Sequence, residues 1–275
     1  MTDARVLGVD ACRAGWIGVV PPACPRDGGA ARAYFAPRVA DLVALADADG
    51  EVAVVAVDMP IGLPDGLRDV HPDAPPGGPA PPGGPAPPGG PAPPGGPASP
   101  GGPGGRGRRR ADVLARKELG PRWRSVFMTP VRAAIEADDY ATAVAVNRRL
   151  TGEGVSRQAF GLKEKLLEVE RWVREAGRRV VEIHPELSFA RLAGAPLPHP
   201  KTTWAGAERR RELLAAAGVV LAGDLGPAGA AAGVDDVLDA GAAAWTALRV
   251  ASGEARPLPD PPEVFSDGIP CAIWA

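Results

Sequence analysis

The spacing of apolar residues along the chain predicts five β-strands. Short apolar or β-branched runs place them at residues 6–9, 16–20, 33–36, 52–57 and 179–183. A glycine-containing turn joins the first two strands, which predicts an antiparallel hairpin. The run 52–57 contains no polar residue, as expected of a strand that is buried on both faces of a sheet.

Apolar residues at helical spacing predict helices at residues 38–47, 157–176, 207–217 and 234–245. Together with the strands, they give the alternating order that is typical of an α/β domain. About 120 residues separate the fourth and fifth strands, far more than an ordinary crossover connection needs. We therefore expect a single domain over residues 1–275 with an inserted subdomain at 60–179.

Inside this insertion, residues 75–98 are four identical copies of Pro-Pro-Gly-Gly-Pro-Ala. The repeat differs from collagen, in which glycine occupies every third position. It contains no side chain larger than proline that a core could bury. We therefore predict a disordered Pro/Gly segment over residues 75–105.

Composition and charge narrow the range of partners. The chain of 275 residues is 45% hydrophobic, which supports a sizeable core, and its formal net charge is −2, so the molecule is not a polycation. A nucleic-acid partner would therefore have to contact a local basic patch. Residues 106–132 carry nine Lys and Arg side chains against Asp112 and Glu118, which indicates either a phosphate-facing patch or a solvated helix face.

The cysteines, histidines and apolar runs argue against several classes of protein. The three cysteines and three histidines are scattered, without the spacing of a disulfide framework or a zinc site. No apolar run approaches the roughly 20 residues of a membrane-spanning helix, and the first residues lack the apolar segment of a signal peptide. We expect a cytoplasmic protein without membrane contact, and the oligomeric state stays open.

Four aspartates stand where an α/β sheet collects its ligands. Asp10 ends the first predicted strand, Asp58 ends the fourth, and Asp236 and Asp239 lie three apart on one face of the last helix. Carboxylates brought together repel one another, and Mg²⁺ or Mn²⁺ removes that penalty. The pattern predicts a divalent-metal site, although each aspartate alone also suits a turn or a helix cap.

Five segments, in order along the chain, resemble the family called domain of unknown function 429. They are residues 8–16, 57–64, 126–132, 156–162 and 182–186, and the resemblance extends over residues 6–245 around the Pro/Gly repeat. Members of that family are described as predicted ribonuclease H-like nucleases. The resemblance implies a ribonuclease H-like mixed sheet of five strands in the order 3-2-1-4-5. It also implies helices on both faces and a long helical insertion between strands 4 and 5.

Within the wider superfamily, the acids are placed similarly to those of Holliday-junction resolvases. There, an aspartate on the first strand, an acid on the fourth strand and two acids on the last helix bind metal. The resemblance implies that Asp10, Asp58, Asp236 and Asp239 are catalytic ligands for Mg²⁺ or Mn²⁺ in a hydrolase that cleaves the phosphodiester bonds of nucleic acid. The resolvases carry glutamate at the fourth-strand position, so Asp58 reaches less far.

Further residues are candidates for the same catalytic site. Glu182 is expected to join the acids, and His184 is expected either to transfer a proton or to lock the turn before Pro185. Candidates for binding a phosphate or a base of the substrate are Arg132, Arg157, Gln158 and Lys201.

Two other interpretations stay open. One is a nucleic-acid-binding module that has the fold without catalysis, which a metal titration would distinguish from a nuclease. The other is a phosphotransferase of the sugar-kinase and actin-like ATPase branch, which also begins with a strand, an aspartate and a hairpin. ATP-dependent thermal stabilisation would favour that branch, although residues 224–227 are a poor candidate for its second phosphate loop.

Overall fold

A mixed sheet of seven strands forms the centre of the protein in the computed structural model, which describes residues 4–22, 29–66 and 107–275. The strands are β1 (Val6–Cys12), β2 (Gly15–Val20), β3 (Arg32–Ala36), β4 (Val54–Val57), β5 (Arg179–Ile183), β6 (Pro257–Val264) and β7 (Pro270–Trp274). Their order is β3-β2-β1-β4-β5-β7-β6, with β2 and β6 antiparallel to the rest. The predicted Pro/Gly segment 75–105 lies outside the described residues.

Helices cover both faces of this sheet, as expected of the α/β class. They are α1 (Val39–Asp47), α2 (Arg110–Leu119), α3 (Arg132–Ile135), α4 (Tyr140–Thr151), α5 (Arg157–Gly161), α6 (Lys163–Glu175), α7 (Pro185–Ala193), α8 (Trp204–Ala216), α9 (Gly226–Ala231) and α10 (Val234–Ala251), and a 3-10 helix spans Gly120–Ser125. Helices α1 and α6 pack on one face, and α7, α8 and α10 pack on the other. Within the described ranges, no helix combines the length and the apolar surface that crossing a bilayer requires.

The C-terminal part of the sheet corrects the prediction of five strands. Strand β7 pairs in parallel with β5, and β6 pairs with β7 at the edge of the sheet. The sequence of β6, Pro-Leu-Pro-Asp-Pro-Pro-Glu-Val, is rich in proline, which cannot donate to a strand ladder. An edge strand tolerates proline because one of its sides has no partner strand, and this explains why the apolar pattern did not reveal it.

The described part of the insertion between β4 and β5 holds helices α2 to α6. The single helix predicted over residues 157–176 is two helices, α5 and α6, which are divided at Leu162. Ser156 begins α5, and its side chain accepts a hydrogen bond from Ala159 N at 3.0 Å. Gly177, with φ +60°, follows the end of α6 in the left-handed conformation that suits a helix terminus.

Side-chain alternation along β1 and β4 sets the position of two candidate acids. Val6 and Val54 pack with α10, and the parallel register pairs these two residues. Asp10 and Asp58 each lie four residues further along the chain, so alternation brings them side by side on the α10 face. The strand pairing therefore assembles half of the predicted acidic site.

Gly8 lets α10 lie directly on β1. A β-carbon at Gly8 would lie 2.0 Å from Ala244 N and 2.2 Å from Ala240 O, which are backbone atoms of α10. Gly8→Ala should force α10 away from the sheet and lower the free energy of unfolding by about 3 kcal/mol or more, as measured by chemical denaturation. The control is Gly161→Ala, because nothing lies within 4 Å of its added β-carbon. Equal effects of the two changes would contradict this packing.

Candidate metal centre

Three aspartates from three separate elements meet at the carboxyl ends of the central strands. Asp10 lies on β1, Asp58 directly follows β4, and Asp239 lies on α10. One carboxylate oxygen of each residue lies within 4.8 Å of those of the other two. Asp10 and Asp239 come from opposite ends of the chain, so the fold alone brings them together.

Few hydrogen bonds hold these three side chains. Asp10 is 6% exposed, and its Oδ1 accepts a hydrogen bond from Ala11 N at 2.7 Å. The backbone N of Asp58 donates to Val9 O at 2.9 Å, which continues the ladder between β1 and β4. Asp239 Oδ2 accepts from Lys201 Nζ at 2.5 Å. Asp239 Oδ1 is buried and has no hydrogen-bond partner among the described residues.

Burial and mutual repulsion raise the pKa values of the three carboxyl groups. Burial is the largest cause at Asp10 and at Asp58, and the charge of a neighbouring aspartate is the next, so the pKa of each lies well above its ordinary value. Burial raises the pKa of Asp239 to about 6, although the Lys201 ammonium opposes this rise. The cluster therefore concentrates negative charge that protons, Lys201 or a metal cation must neutralise.

The oxygen atoms of this cluster suit a hard divalent cation. Mg²⁺ and Mn²⁺ prefer carboxylate oxygens, and three protein ligands leave coordination positions for water and substrate. Asp239 Oδ1 is a buried acceptor that has lost its hydration, and no donor in the described chain compensates for this loss. The residues present thus fit a metal ion, which Asp10, Asp58 and Asp239 could hold.

Asp236 lines the same cleft but stands apart from the other three aspartates. Its Oδ2 accepts a hydrogen bond from the backbone N of Gly233, the N-cap residue of α10, at 3.2 Å. This bond is one half of a capping box, so the carboxylate stabilises the start of the helix. Its part in binding metal stays a prediction.

Glu182 lies on β5 beside the acids but is held by other groups. Val181 and Ile183 pack with α10, so alternation turns Glu182 towards the opposite face of the sheet. There its carboxylate accepts from Ile61 N at 2.8 Å and forms an ion pair with the fully buried Arg109. Burial raises the pKa of Glu182 to about 7, although Arg109 lowers it. Glu182 thus anchors the cleft wall, and its catalytic role stays a prediction.

Arg109 is a central residue of this wall that the sequence did not single out. Its guanidinium donates to Thr129 Oγ1 at 2.9 Å and to Cys271 Sγ at 3.0 Å, and it lies 3.6 Å from Asp112. It therefore ties the insertion to β5 and β7. The three-residue spacing of Arg109 and Asp112 could have pointed to their pairing, but Arg109 lies within a run of arginines that reads as one charged segment.

His184 lies between β5 and α7 and also lines the cleft. Its Nε2 donates to Ser125 O at 3.3 Å, whereas Nδ1 is buried without a partner among the described residues. Burial lowers the pKa of His184, so the ring is neutral at pH 7. In this tautomer Nδ1 is a proton acceptor, and both of the predicted roles, proton transfer and fixing the turn, are compatible with the geometry.

The fold separates the four residues predicted to bind substrate. Gln158 and Lys201 line the cleft. Arg132 forms an ion pair with Glu170, and the Arg157 guanidinium lies 4.6 Å from the centroid of a tyrosine ring. Neither arginine is among the residues that line the cleft, and Arg132 also forms an ion pair with Asp267 at 3.2 Å.

The cleft that these groups surround has a volume of about 430 Å³. The 3-10 helix Gly120–Ser125 supplies part of its wall, with Arg122, Arg124 and Ser125 among the lining residues. Arg122 Nη2 lies 3.4 Å from Glu186 Oε2. The basic stretch of the sequence therefore reaches the cleft, through arginines that the sequence pattern did not distinguish from their neighbours.

Fold and site together define a mixed α/β protein with an acidic cluster at the carboxyl ends of its central strands. The chain belongs to the family described as protein of unknown function (DUF429), whose model matches residues 8–264. This match confirms the family to which the sequence segments pointed. No curated protein and no solved structure matches the chain significantly.

Proposed function

We propose that the protein is a metal-dependent nuclease, which hydrolyses phosphodiester bonds with Mg²⁺ or Mn²⁺ held by Asp10, Asp58 and Asp239. The observation that carries this proposal is that the three carboxylates share one cleft with Arg122 and Lys201. Acids alone would suit a structural cation. Acids together with basic side chains suit an anionic substrate whose charge must be stabilised during reaction.

We also propose that the fold is ribonuclease H-like. Five of the strands stand in the order β3-β2-β1-β4-β5, with β2 antiparallel to its neighbours, and α10 packs on β1 and β4. This is the order that the family resemblance implies, extended by β7 and β6. It supports the comparison of Asp10, Asp58 and Asp239 with the acids of the resolvases.

The residues of the chain would divide the catalytic work. A bound cation supplies positive charge at the phosphate and favours ionisation of a water molecule. Lys201 Nζ lies 2.5 Å from Asp239 Oδ2 and 3.4 Å from Asp235 Oδ2. Its ammonium would hold Asp239 in place and add positive charge beside the substrate phosphate. His184 lines the cleft with a neutral ring and would take up the proton that the attacking water releases.

A cleavage assay with the full chain tests the proposal. Single-stranded, duplex, hybrid and junction oligonucleotides are incubated with Mn²⁺, Mg²⁺, Ca²⁺ or EDTA. We expect cleavage with Mn²⁺ or Mg²⁺, none in EDTA, and little with Ca²⁺, because its looser coordination does not hold an in-line geometry. Equal absence of cleavage with and without metal, on all four substrates, would contradict the proposal.

The two other interpretations predict different results in companion measurements. Oligonucleotide binding without cleavage, and without Mn²⁺ binding in a calorimetric titration, would replace the nuclease by a non-catalytic binding module. A melting temperature that rises with ATP would replace it by a phosphotransferase, because a ligand stabilises the folded state that binds it, by an amount that grows with the logarithm of the ligand concentration.

A further inference from the structure

Trp204 is the most exposed large hydrophobic side chain of the described residues, with 83% of its surface accessible. It is the first residue of α8, and it follows Pro200, Lys201 and Thr202, which all line the cleft. A tryptophan ring combines a large apolar face with a polar N–H, so an exposed one beside a cleft suits stacking against a ligand. Trp204 directly follows the segment that lines the proposed nuclease cleft, and this edge is called the first lip.

The backbone beneath Trp204 is fixed. Thr203 Oγ1 donates to Pro200 O at 2.8 Å and accepts from Gly206 N at 3.1 Å. Gly206 lies so close to the lining segment that an added β-carbon would be 1.9 Å from Pro200 O. The exposed ring is thus carried on a rigid first helical turn, which lowers the entropy lost when a partner packs against it.

The 3-10 helix forms a basic and aromatic lip on the same cleft. Trp123 is 42% exposed and lies between Arg122 and Arg124, which both line the cleft. The guanidinium carbons of Arg124 and Arg116 each lie 5.1 Å from the Trp123 ring centroid. The guanidinium of Arg124 is thus held beside an exposed aromatic ring, a combination that suits a phosphate and its neighbouring base.

We propose that the two lips bind an unpaired stretch of nucleic acid. One base stacks on Trp204, the neighbouring phosphates contact Arg122 and Arg124, and the backbone passes the cluster of Asp10, Asp58 and Asp239. This rests on the proposed nuclease function and names its substrate class. Single strands are favoured over duplex because bases in a duplex already cover their ring faces, whereas exposed aromatic rings with arginines are the usual platform for unpaired bases.

Charge and size support this partner over a protein. The cleft combines arginines on its wall with carboxylates that a cation neutralises, and this suits a ligand with regularly spaced negative charges. Its volume of about 430 Å³ suits one or two nucleotides rather than a double helix.

Fluorescence anisotropy of a labelled single-stranded oligonucleotide, and of the matching duplex, tests the proposal in Ca²⁺, which neutralises the carboxylates but supports little cleavage. We expect the wild-type protein to bind the single strand more tightly than the duplex. Trp204→Ala should lower the affinity for the single strand by about tenfold or more, because stacking on one aromatic ring contributes that much. Trp204→Tyr should keep most of the affinity, since a tyrosine ring also stacks.

Two further variants separate the contribution of the phosphate contact from that of exposed hydrophobic surface in general. Arg124→Ala should reduce the slope of log affinity against log salt by about one, as expected for the loss of one phosphate contact. Leu45→Ala is the matched control, because Leu45 is also an exposed hydrophobic residue, at 49%, but lies on α1 outside the cleft lining. It should leave the affinity unchanged.

Three results would overturn the proposal: unchanged single-strand binding by Trp204→Ala, duplex binding as tight as single-strand binding, or concentration-dependent self-association that Trp204→Ala abolishes. The last would assign the lip to a second copy of the chain. These outcomes are separate from failure of the nuclease proposal. If single-strand binding depends on Trp204 but no metal-dependent cleavage occurs, only the nuclease proposal fails. If cleavage occurs and Trp204→Ala does not affect binding, only the proposed role of the lips fails.

Discussion

Replacing Asp58 with asparagine should lower metal-dependent phosphodiester cleavage by at least about 100-fold. Changes to residues that merely orient a metal ligand typically cost 10–100-fold, and Asp58→Asn removes the charge of a proposed ligand itself. The amide keeps the shape of the side chain, and the hydrogen bond from the Asp58 backbone N to Val9 O does not depend on the side chain. The fold should therefore remain, and single-turnover rates in Mn²⁺ measure the effect.

Asp138→Asn is the matched control for this prediction. Asp138 is exposed and precedes α4 in the insertion, so the same chemical change there alters neither the cluster nor the cleft lining. Circular dichroism of both variants should match the wild-type protein. If Asp58→Asn retained full activity while EDTA still abolished it, a nuclease would survive but its metal would have to bind elsewhere.

Alternation and strand pairing explain why the acidic cluster could be predicted from sequence. Asp10 and Asp58 end apolar runs whose strand character is unmistakable, and parallel neighbours bring such ends to one edge of a sheet. Asp239 was named because it lies three residues from Asp236 on the last predicted helix and because the resolvases carry two acids on that helix. Local patterns indicated the strand-end acids, and the family resemblance was needed to add the helix acid.

Gln158, His184 and Lys201 were predicted and line the cleft, but the rest of its surroundings could not be predicted, because they depend on long-range partners. A sequence shows that Arg132 and Arg109 are basic, but not that Arg132 pairs with Glu170 or that Arg109 is fully buried against Glu182. Burial of an arginine requires partners from distant elements, and no local periodicity encodes them. The prolines of β6 conceal a strand for a similar reason. A strand tolerates proline at the edge of a sheet, and the local sequence does not show which strand lies at the edge.

The metal-free protein should lose stability as pH rises from about 5 to 8. The folded-state pKa values of Asp10, Asp58 and Asp239 lie above the ordinary value, so the folded state binds more protons than the unfolded state. Stability from such groups is complete below about pH 4 and is lost as pH rises through each folded pKa. For Asp239, a rise from 3.8 to about 6 corresponds to about 3 kcal/mol at most.

Asp58→Asn should flatten this pH dependence and raise the metal-free melting temperature at pH 8. The substitution removes one charge that raises the pKa of Asp10 and one half-buried carboxylate. His184 contributes the opposite slope, because its lowered folded pKa favours the unfolded state as pH falls below about 6.5. Since both proteins contain His184, the difference between their curves isolates the carboxylates.

Excess Mn²⁺ should restore the stability that the wild-type protein loses as pH rises, and this stabilising effect should grow with pH. A ligand stabilises the state that binds it, and the carboxylates bind metal only when deprotonated. Differential scanning calorimetry at pH 5, 6, 7 and 8, with EDTA or Mn²⁺, measures both effects. A wild-type curve parallel to that of Asp58→Asn in EDTA would show that the carboxylates do not repel one another. An equal Mn²⁺ effect in both proteins would show that the cation binds without Asp58.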